Sequence, residues 1–335
     1  MKKLTASDAE FADEFGWRVA LSGDTIIVGA IGEDDNGSGA GAAYIFQQDQ
    51  GGAENWGQVK VTASDADSFD RFGQSVALSG DTISVGAAEG QAGAAYVFQR
   101  NLGGADNWGE VKKLIASDAE PGDQFGYSVA IGFETAVIGA NGEDAGGNAA
   151  GAAYIYERNQ GGTDNWGEVK KLTASDAEAN DDFGISAAVS GDVVLVGADG
   201  KDIPGGNAAG AAYYFQRDQG GAENWGEVSK LTASDAEGND IFGVSVAVTN
   251  ADAVVGAYFE SGLAGAAYTY DLLRTKPTKP APLPVGGISI DSDVRPLPVG
   301  TPQSSGRAWF LALIATTTWL AALGGAGLWA RGRLG

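Results

Sequence analysis

Residues 15–30 read FGWRVALSGDTIIVGA, and this stretch decides the fold. Trp17, Val19 and Leu21 alternate with Arg18, Ala20 and Ser22, the period of two that sends side chains to opposite faces of a β-strand. Gly23-Asp24 supplies a tight turn. Thr25 to Ala30 is a second apolar run, rich in β-branched residues. Residues 42–47 read as a third strand and 56–63 as a fourth. No stretch before residue 300 holds a sustained helical period.

The stretch recurs. Phe-Gly begins at Phe15, Phe72, Phe125, Phe183 and Phe242, at spacings of 57, 53, 58 and 59 residues. Each copy runs on to Val-Gly-Ala or Ile-Gly-Ala, ending at Ala30, Ala87, Ala140, Ala198 and Ala257. Each then reaches Gly-Ala-Ala-Tyr, ending at Tyr44, Tyr96, Tyr154, Tyr213 and Tyr268. Four copies continue into Asn-Trp-Gly, at Trp56, Trp108, Trp166 and Trp225. Four antiparallel strands per unit of about 50–60 residues make a propeller blade. One blade cannot bury both faces alone, so blades stack around an axis. The expected fold is all-β: a β-propeller of four-stranded antiparallel blades, with five repeats visible over residues 1–273. The tryptophans open the outermost strands, where they are expected to pack between blades. The last copy stops at Leu273 without a fourth strand, while Lys2-Lys3-Leu4 matches Lys112-Lys113-Leu114 in such a strand. The N-terminal strand is therefore expected to close the fifth blade and leave no open sheet edge. A larger ring with further blades upstream fits the same pattern.

The repeated elements resemble FG-GAP repeats, the blades of integrin alpha-subunit propellers and of many bacterial surface proteins. The fuller unit, from Leu-Thr-Ala-Ser-Asp through Phe-Gly and Ser-Gly-Asp to Val-Gly-Ala, is similar to the bacterial subtype. The resemblance covers residues 3–273 and implies an extracellular propeller engaged in adhesion or ligand binding. Integrin-type propellers carry an Asp-x-Asp-x-Asp-Gly calcium loop between the first two strands of some blades. Here that connection is a short turn, as in Ser22-Gly23-Asp24, Ser79-Gly80-Asp81 or Ser190-Gly191-Asp192, so those calcium sites are not carried over.

Composition narrows the chemistry. The 335 residues include no Cys and no His. That removes disulfides, thiolate metal sites and every Ser-His or Cys-His nucleophile pair. Carboxylate, Lys and Tyr chemistry stays open. Residues 1–273 hold 42 acidic and 14 basic side chains, a net −28, whereas residues 274–335 hold 2 and 7, a net +5. A domain so acidic repels phosphate backbones, and no nucleic acid partner is expected.

Two sets of acidic residues are candidate sites. Antiparallel strands place the inter-blade connections and the loops between second and third strands on one face. The connections repeat Asp-x-(Glu/Asp)-x-x-Asp: Asp8, Glu10 and Asp13; Asp65, Asp67 and Asp70; Asp118, Glu120 and Asp123; Asp176, Glu178 and Asp181; Asp235, Glu237 and Asp240. Three carboxylates within six residues suit a hard cation such as Ca2+, completed by carbonyls and waters. The same Asp side chains also suit turn caps that accept backbone N–H groups. The loops between second and third strands vary in length and carry Glu33, Asp34, Asp35, Glu143, Asp144, Asp199 and Asp202. Variable loops on a rigid scaffold are where binding resides, and also where drift is tolerated.

The C-terminal part changes character. Residues 274–306 form a linker that holds seven of the nine prolines, and 307–335 are expected to anchor the chain. The 23 uncharged residues from Ala308 to Ala330 would span about 34 Å as a helix, enough for a hydrocarbon core of about 30 Å. Trp309 and Trp329 lie near its two ends, and Arg331 and Arg333 follow it. A single-pass membrane protein is expected, with the propeller outside and the C-terminus cytoplasmic. Met1-Lys2-Lys3 leads into strand sequence without an apolar signal region, so a start further upstream is expected.

The expected function is a membrane-anchored cell-surface propeller that binds an extracellular protein or glycan, with Ca2+ as the one candidate cofactor. The alternatives are a structural spacer or coat module without a specific ligand, and a carboxylate-dependent hydrolase. Every blade carries the same carboxylates, which argues against an enzyme.

Overall fold

The computed structural model describes residues 2–273 apart from 51, 54, 205 and 261–263. The chain divides into two units, Met1–Lys276 and Pro277–Gly335. The linker from residue 274 and the expected membrane span at 308–330 lie outside the described residues.

The described strands form five antiparallel sheets, each hydrogen-bonded in chain order. The first blade is β1 (Phe15–Ser22), β2 (Thr25–Ala30), β3 (Ala42–Gln48) and β4 (Trp56–Val61). The second is β5 (Ser75–Ser79), β6 (Thr82–Ala87), β7 (Ala94–Arg100) and β8 (Trp108–Leu114). The third is β9 (Phe125–Ile131), β10 (Thr135–Ala140), β11 (Ala152–Glu157) and β12 (Gly167–Leu172). The fourth is β13 (Phe183–Ser190), β14 (Val193–Ala198), β15 (Ala211–Gln216) and β16 (Gly226–Leu231). The fifth is β17 (Phe242–Val248), β18 (Asp252–Ala257) and β19 (Ala266–Asp271). Strands β6, β10 and β14 are buried along their whole length, which is why they read as continuous apolar runs.

The repeated motifs are the joints between blades. The glycine of each Phe-Gly has φ between 95° and 101°, which a Cβ would disfavour. This turns its carbonyl toward the preceding blade, where the Ser75, Ser128 and Ser186 hydroxyls donate to Gly126, Gly184 and Gly243, each at 2.7 Å. The amide of the next blade's Phe donates to an Ala carbonyl before Gly-Ala-Ala-Tyr: Phe72 to Ala40 at 2.8 Å, Phe125 to Ala92 at 2.9 Å, Phe183 to Ala150 at 3.1 Å and Phe242 to Ala209 at 3.0 Å. One bonding scheme therefore builds four joints. In the first blade, Arg18 stands where the others have Ser.

Four apolar clusters fill these joints, each drawn from two consecutive blades. Trp108, Trp166 and Trp225 are buried within them, as expected of inter-blade anchors. Trp56 packs on its own blade and the N-terminal segment, and is partly buried. Trp225→Ala should cost about 3–5 kcal/mol in urea unfolding and Trp56→Ala clearly less. Equal costs would contradict the inter-blade role.

The fifth blade differs from the expectation. Its sheet has three strands, and residues 2–6 lie outside any strand. Leu4 and Ala6 instead pack on Phe15, Tyr44 and Phe46 of the first blade. That is the seat Leu114 and Ala116 take on the third blade, so the segment docks on the blade it precedes. The sheet faces at the two ends of the row are partly uncovered. Val19 and Leu21 are 48% and 71% exposed, while Val129 and Ile131 at the same positions of the third blade are buried.

Candidate ligand-binding face

The inter-blade connections and the loops between second and third strands do share a face. The amides of Phe69 and Arg71 donate to Ser38 and Gly39, and those of Asn180 and Asn239 to Asn148 and Asn207. The repeated carboxylates on this face have local work. The last acid of each triplet caps its own turn: Asp13, Asp70, Asp123, Asp181 and Asp240 accept the amides of Glu10, Asp67, Glu120, Glu178 and Glu237 at 2.6–2.8 Å.

The first acid holds a clamp. Asp65 accepts the Tyr96 hydroxyl at 2.8 Å and the Lys113 ammonium at 2.6 Å. Asp118 accepts Tyr154 and Lys171 at 2.8 and 2.6 Å, and Asp176 accepts Tyr213 and Lys230 at 2.6 and 2.7 Å. Asp8 accepts Lys60 at 2.8 Å, and Asp235 accepts Tyr268 at 2.8 Å. Each lysine lies over its tyrosine ring, 5.5–5.7 Å from the centroid. The Lys113 ammonium holds Asp65 below the usual carboxylate range. Burial pushes Asp118 up, but Lys171 and Tyr154 outweigh it and hold it low. The middle acids Glu10, Asp67, Glu120, Glu178 and Glu237 are exposed. Among the described residues no three acidic side chains converge as a metal ligand set.

The loop acids divide. Glu33 and Glu143 are buried and accept Lys60 and Lys171 at 2.6 and 2.7 Å, and Asp35 also accepts Lys60. Asp202 accepts the Ala208 amide, while Asp34 is exposed. Asp144 accepts the Ala149 amide and lines a cavity of about 370 Å³ with Gln124, Asn141, Asn148 and Asp182. Asp199, outside that lining, lies near Asp182. Burial, with Asp182 adding repulsion, pushes its carboxyl up to about 7. Burial likewise raises Asp182, against the pull of the Asn141 amide. Lys201 stands where the first and third blades have Glu33 and Glu143, and its ammonium is held by Asp181, Glu178 and the Asp176 carbonyl. A second cavity, of about 480 Å³, is lined by Glu157, Asp192 and Arg217, and these charges pair with one another.

The raised Asp199 carboxyl has a consequence for stability. Its folded value lies above the unfolded one, so the protonated form favours folding and the ionised form opposes it. Unfolding free energy should therefore fall as pH rises from about 4 to about 7 and then level off, by roughly 1–3 kcal/mol. Urea unfolding at a series of pH values measures this, and Asp199→Asn should flatten the slope. Asp182 is the charged group that acts on it, and Tyr127 lies near both acids.

The FG-GAP repeat pattern matches residues 1–46, 56–98, 108–156, 166–215 and 225–270, each match holding the first three strands of one blade and the segment before them. The chain belongs to the FG-GAP repeat family. No curated protein sequence matches this FG-GAP chain significantly. Among solved structures it is similar to the Dos1 propeller, at 13% identity and a TM-score of 0.42, over 77% of this chain and 57% of that one. It is also similar to the propeller domain of the Pyrococcus furiosus Trilobed protease, at 10% identity and 0.40, over 76% and 67%. The Aleuria aurantia lectin in complex with alpha-methyl-L-fucoside matches at 11% and 0.41, over 73% and 70%.

Of the residues singled out in the sequence, Asp144 lines the cavity, and Asp199 lies near enough to Asp182 to feel its charge. Asn141, Asp182, Gln124 and Asn148 were missed. The signal for Asn141 and Asp182 was present in the repeats themselves. The residue before Phe-Gly is Glu14, Arg71, Gln124, Asp182 or Ile241, and the residue after the Val-Gly-Ala element is Ile31, Ala88, Asn141, Asp199 or Tyr258. These are two of the positions at which the repeat varies.

Proposed function

We propose that this FG-GAP propeller is a binding module. Its acidic loop face takes an extracellular protein or glycan, and residues 308–330 tether it to the cell membrane as a single-pass anchor with a cytoplasmic C-terminus. The observation that carries the binding reading is the cavity between the third and fourth blades. There the repeat is broken, and among the described residues Asp182 and the nearby Asp199 have no hydrogen bond to a lysine or tyrosine such as the repeated acids have. Calcium dependence draws less support, because the first and last acids of the triplets already hold side-chain or backbone donors. The test is binding of the full chain to glycan and protein arrays, with and without calcium. Ligands lost on Asp144→Asn or Asp182→Asn support the reading. A blank array favours a structural spacer.

A second reading has one observation in its favour. A carboxyl near 7 beside another acid is the pairing an acid-base hydrolase uses, and Asp182 and Asp199 single out one such pair. Turnover of any glycoside or ester that Asp199→Asn abolishes would replace the binding reading. A panel of such substrates without turnover removes it.

A further inference from the structure

The joint between the third and fourth blades holds two acids without a basic partner among the described residues. Asp182 lies directly before Phe183, and Asp199 directly after Ala198. A methyl group placed on Gly200 would come within 3.2 Å of the Asp182 Oδ2, so the Asp182 carboxylate lies against the loop that Asp199 opens. Among the described residues neither acid forms an ion pair with a basic side chain. Lys201, the basic residue of that loop, is committed to Asp181, Glu178 and the Asp176 carbonyl.

An amide acceptor lines the same cavity beside Asp182. Asn141 is 8% exposed, and its side-chain oxygen is buried without a donor. A buried acceptor left unpaired is unusual and costly, which points to a donor that arrives from outside. The lining thus offers the carboxylates of Asp144 and Asp182 and an amide oxygen, with Asp199 near Asp182, and asks for positive charge and N–H groups. The cavity of about 370 Å³ is far larger than a bare ion, which would also need six to eight oxygens around it. A side-chain-sized organic cation matches both the volume and the acceptor set. The net −28 of residues 1–273 would draw such a ligand toward this surface.

We propose that this cavity binds the guanidinium or ammonium group of a basic ligand, with Asp182 as counter-ion, the nearby charge of Asp199 adding to it, and the Asn141 oxygen accepting from the cation. This rests on the reading of the loop face as a binding surface and names the chemistry of what binds there.

The experiment is calorimetric titration of the full chain with four probes: Nα-acetyl-arginine amide, Nα-acetyl-lysine amide, calcium chloride and methyl α-glucoside. Saturable heat from a cationic amide at one site per chain is expected, and the arginine and lysine arms separate guanidinium from ammonium. Asp182→Asn and Asp199→Asn should each weaken that binding at least tenfold, and Asn141→Asp should tighten it. Asp65→Asn, in a repeated clamp, should leave it unchanged. Both Asn variants keep the side-chain shape and remove a repulsion, so they should fold, and melting curves check this. Heat from neither cationic probe overturns the proposal. So does cationic binding indifferent to Asp182→Asn, or calcium saturating the same site with the same dependence on Asp182 and Asp199. If the cationic probes fail while array ligands still bind through the loop acids, only this proposal falls. If the arrays are blank as well, the binding reading falls with it.

Discussion

Phe183→Ala should lower the unfolding free energy by about 3–5 kcal/mol, enough to unfold much of the population at moderate temperature. The ring is fully buried at the joint of the third and fourth blades. It meets Tyr213 and Phe215 edge-on at 5.4 and 6.0 Å, with Val194, Val196 and Trp225 in the same cluster. Neighbours held by two sheets cannot collapse into the space, so the cavity persists and its cost is added to the lost burial. Phe11 is the control. Its side chain is fully exposed, and Phe11→Ala should change stability by less than about 0.5 kcal/mol. Urea unfolding of the two variants measures the difference.

Gly139→Ala should be nearly as damaging, at about 3 kcal/mol or more. A Cβ on Gly139 would overlap the Gly184 carbonyl of the next blade and the Ser128 hydroxyl that donates to it. The carbonyl is backbone, so relief requires the two blades to part. The corresponding Gly256 of the fifth blade would meet only the Ser245 side chain, which can rotate. Gly256→Ala should therefore cost much less. Thermal melting of the pair separates a blade-to-blade contact from a general intolerance of β-strands for alanine, because both glycines lie at the same place in their strands.

Most of the fold was legible because the sequence repeats. The period of two in FGWRVALS, the turn at Gly23-Asp24 and the spacing of the tryptophans each describe local structure, and five copies confirmed one another. The seat of the N-terminal segment was less legible. Lys2-Lys3-Leu4 correctly resembles the end of a fourth strand, but such a segment also packs on the blade that follows it, and that contact is the one Leu4 makes. The repeated acids were visible and their task was not. Asp118 meets Tyr154 and Lys171, 36 and 53 positions away, and only the stacking of blades brings these together. The cavity was hidden for a related reason. Asp182 and Asp199 belong to one repeat and Asn141 to another, and each looks like ordinary loop variation until consecutive blades are placed side by side.

The central claim is that repeated acids hold the fold and the non-repeated pair is kept at its expense. Thermal unfolding of Asp118→Asn and Asp199→Asn at about pH 8, where both native carboxylates are ionised, tests it most directly. Asp118→Asn should lower the melting temperature, by roughly 1 kcal/mol of stability, because it removes the charge that holds Lys171 and leaves one acceptor oxygen where Tyr154 and Lys171 use two. Asp199→Asn should raise it, because it removes a half-buried charge that repels Asp182. Opposite signs are the predicted result. A fall in both variants would contradict the account, since Asp199 would then be one more structural acid.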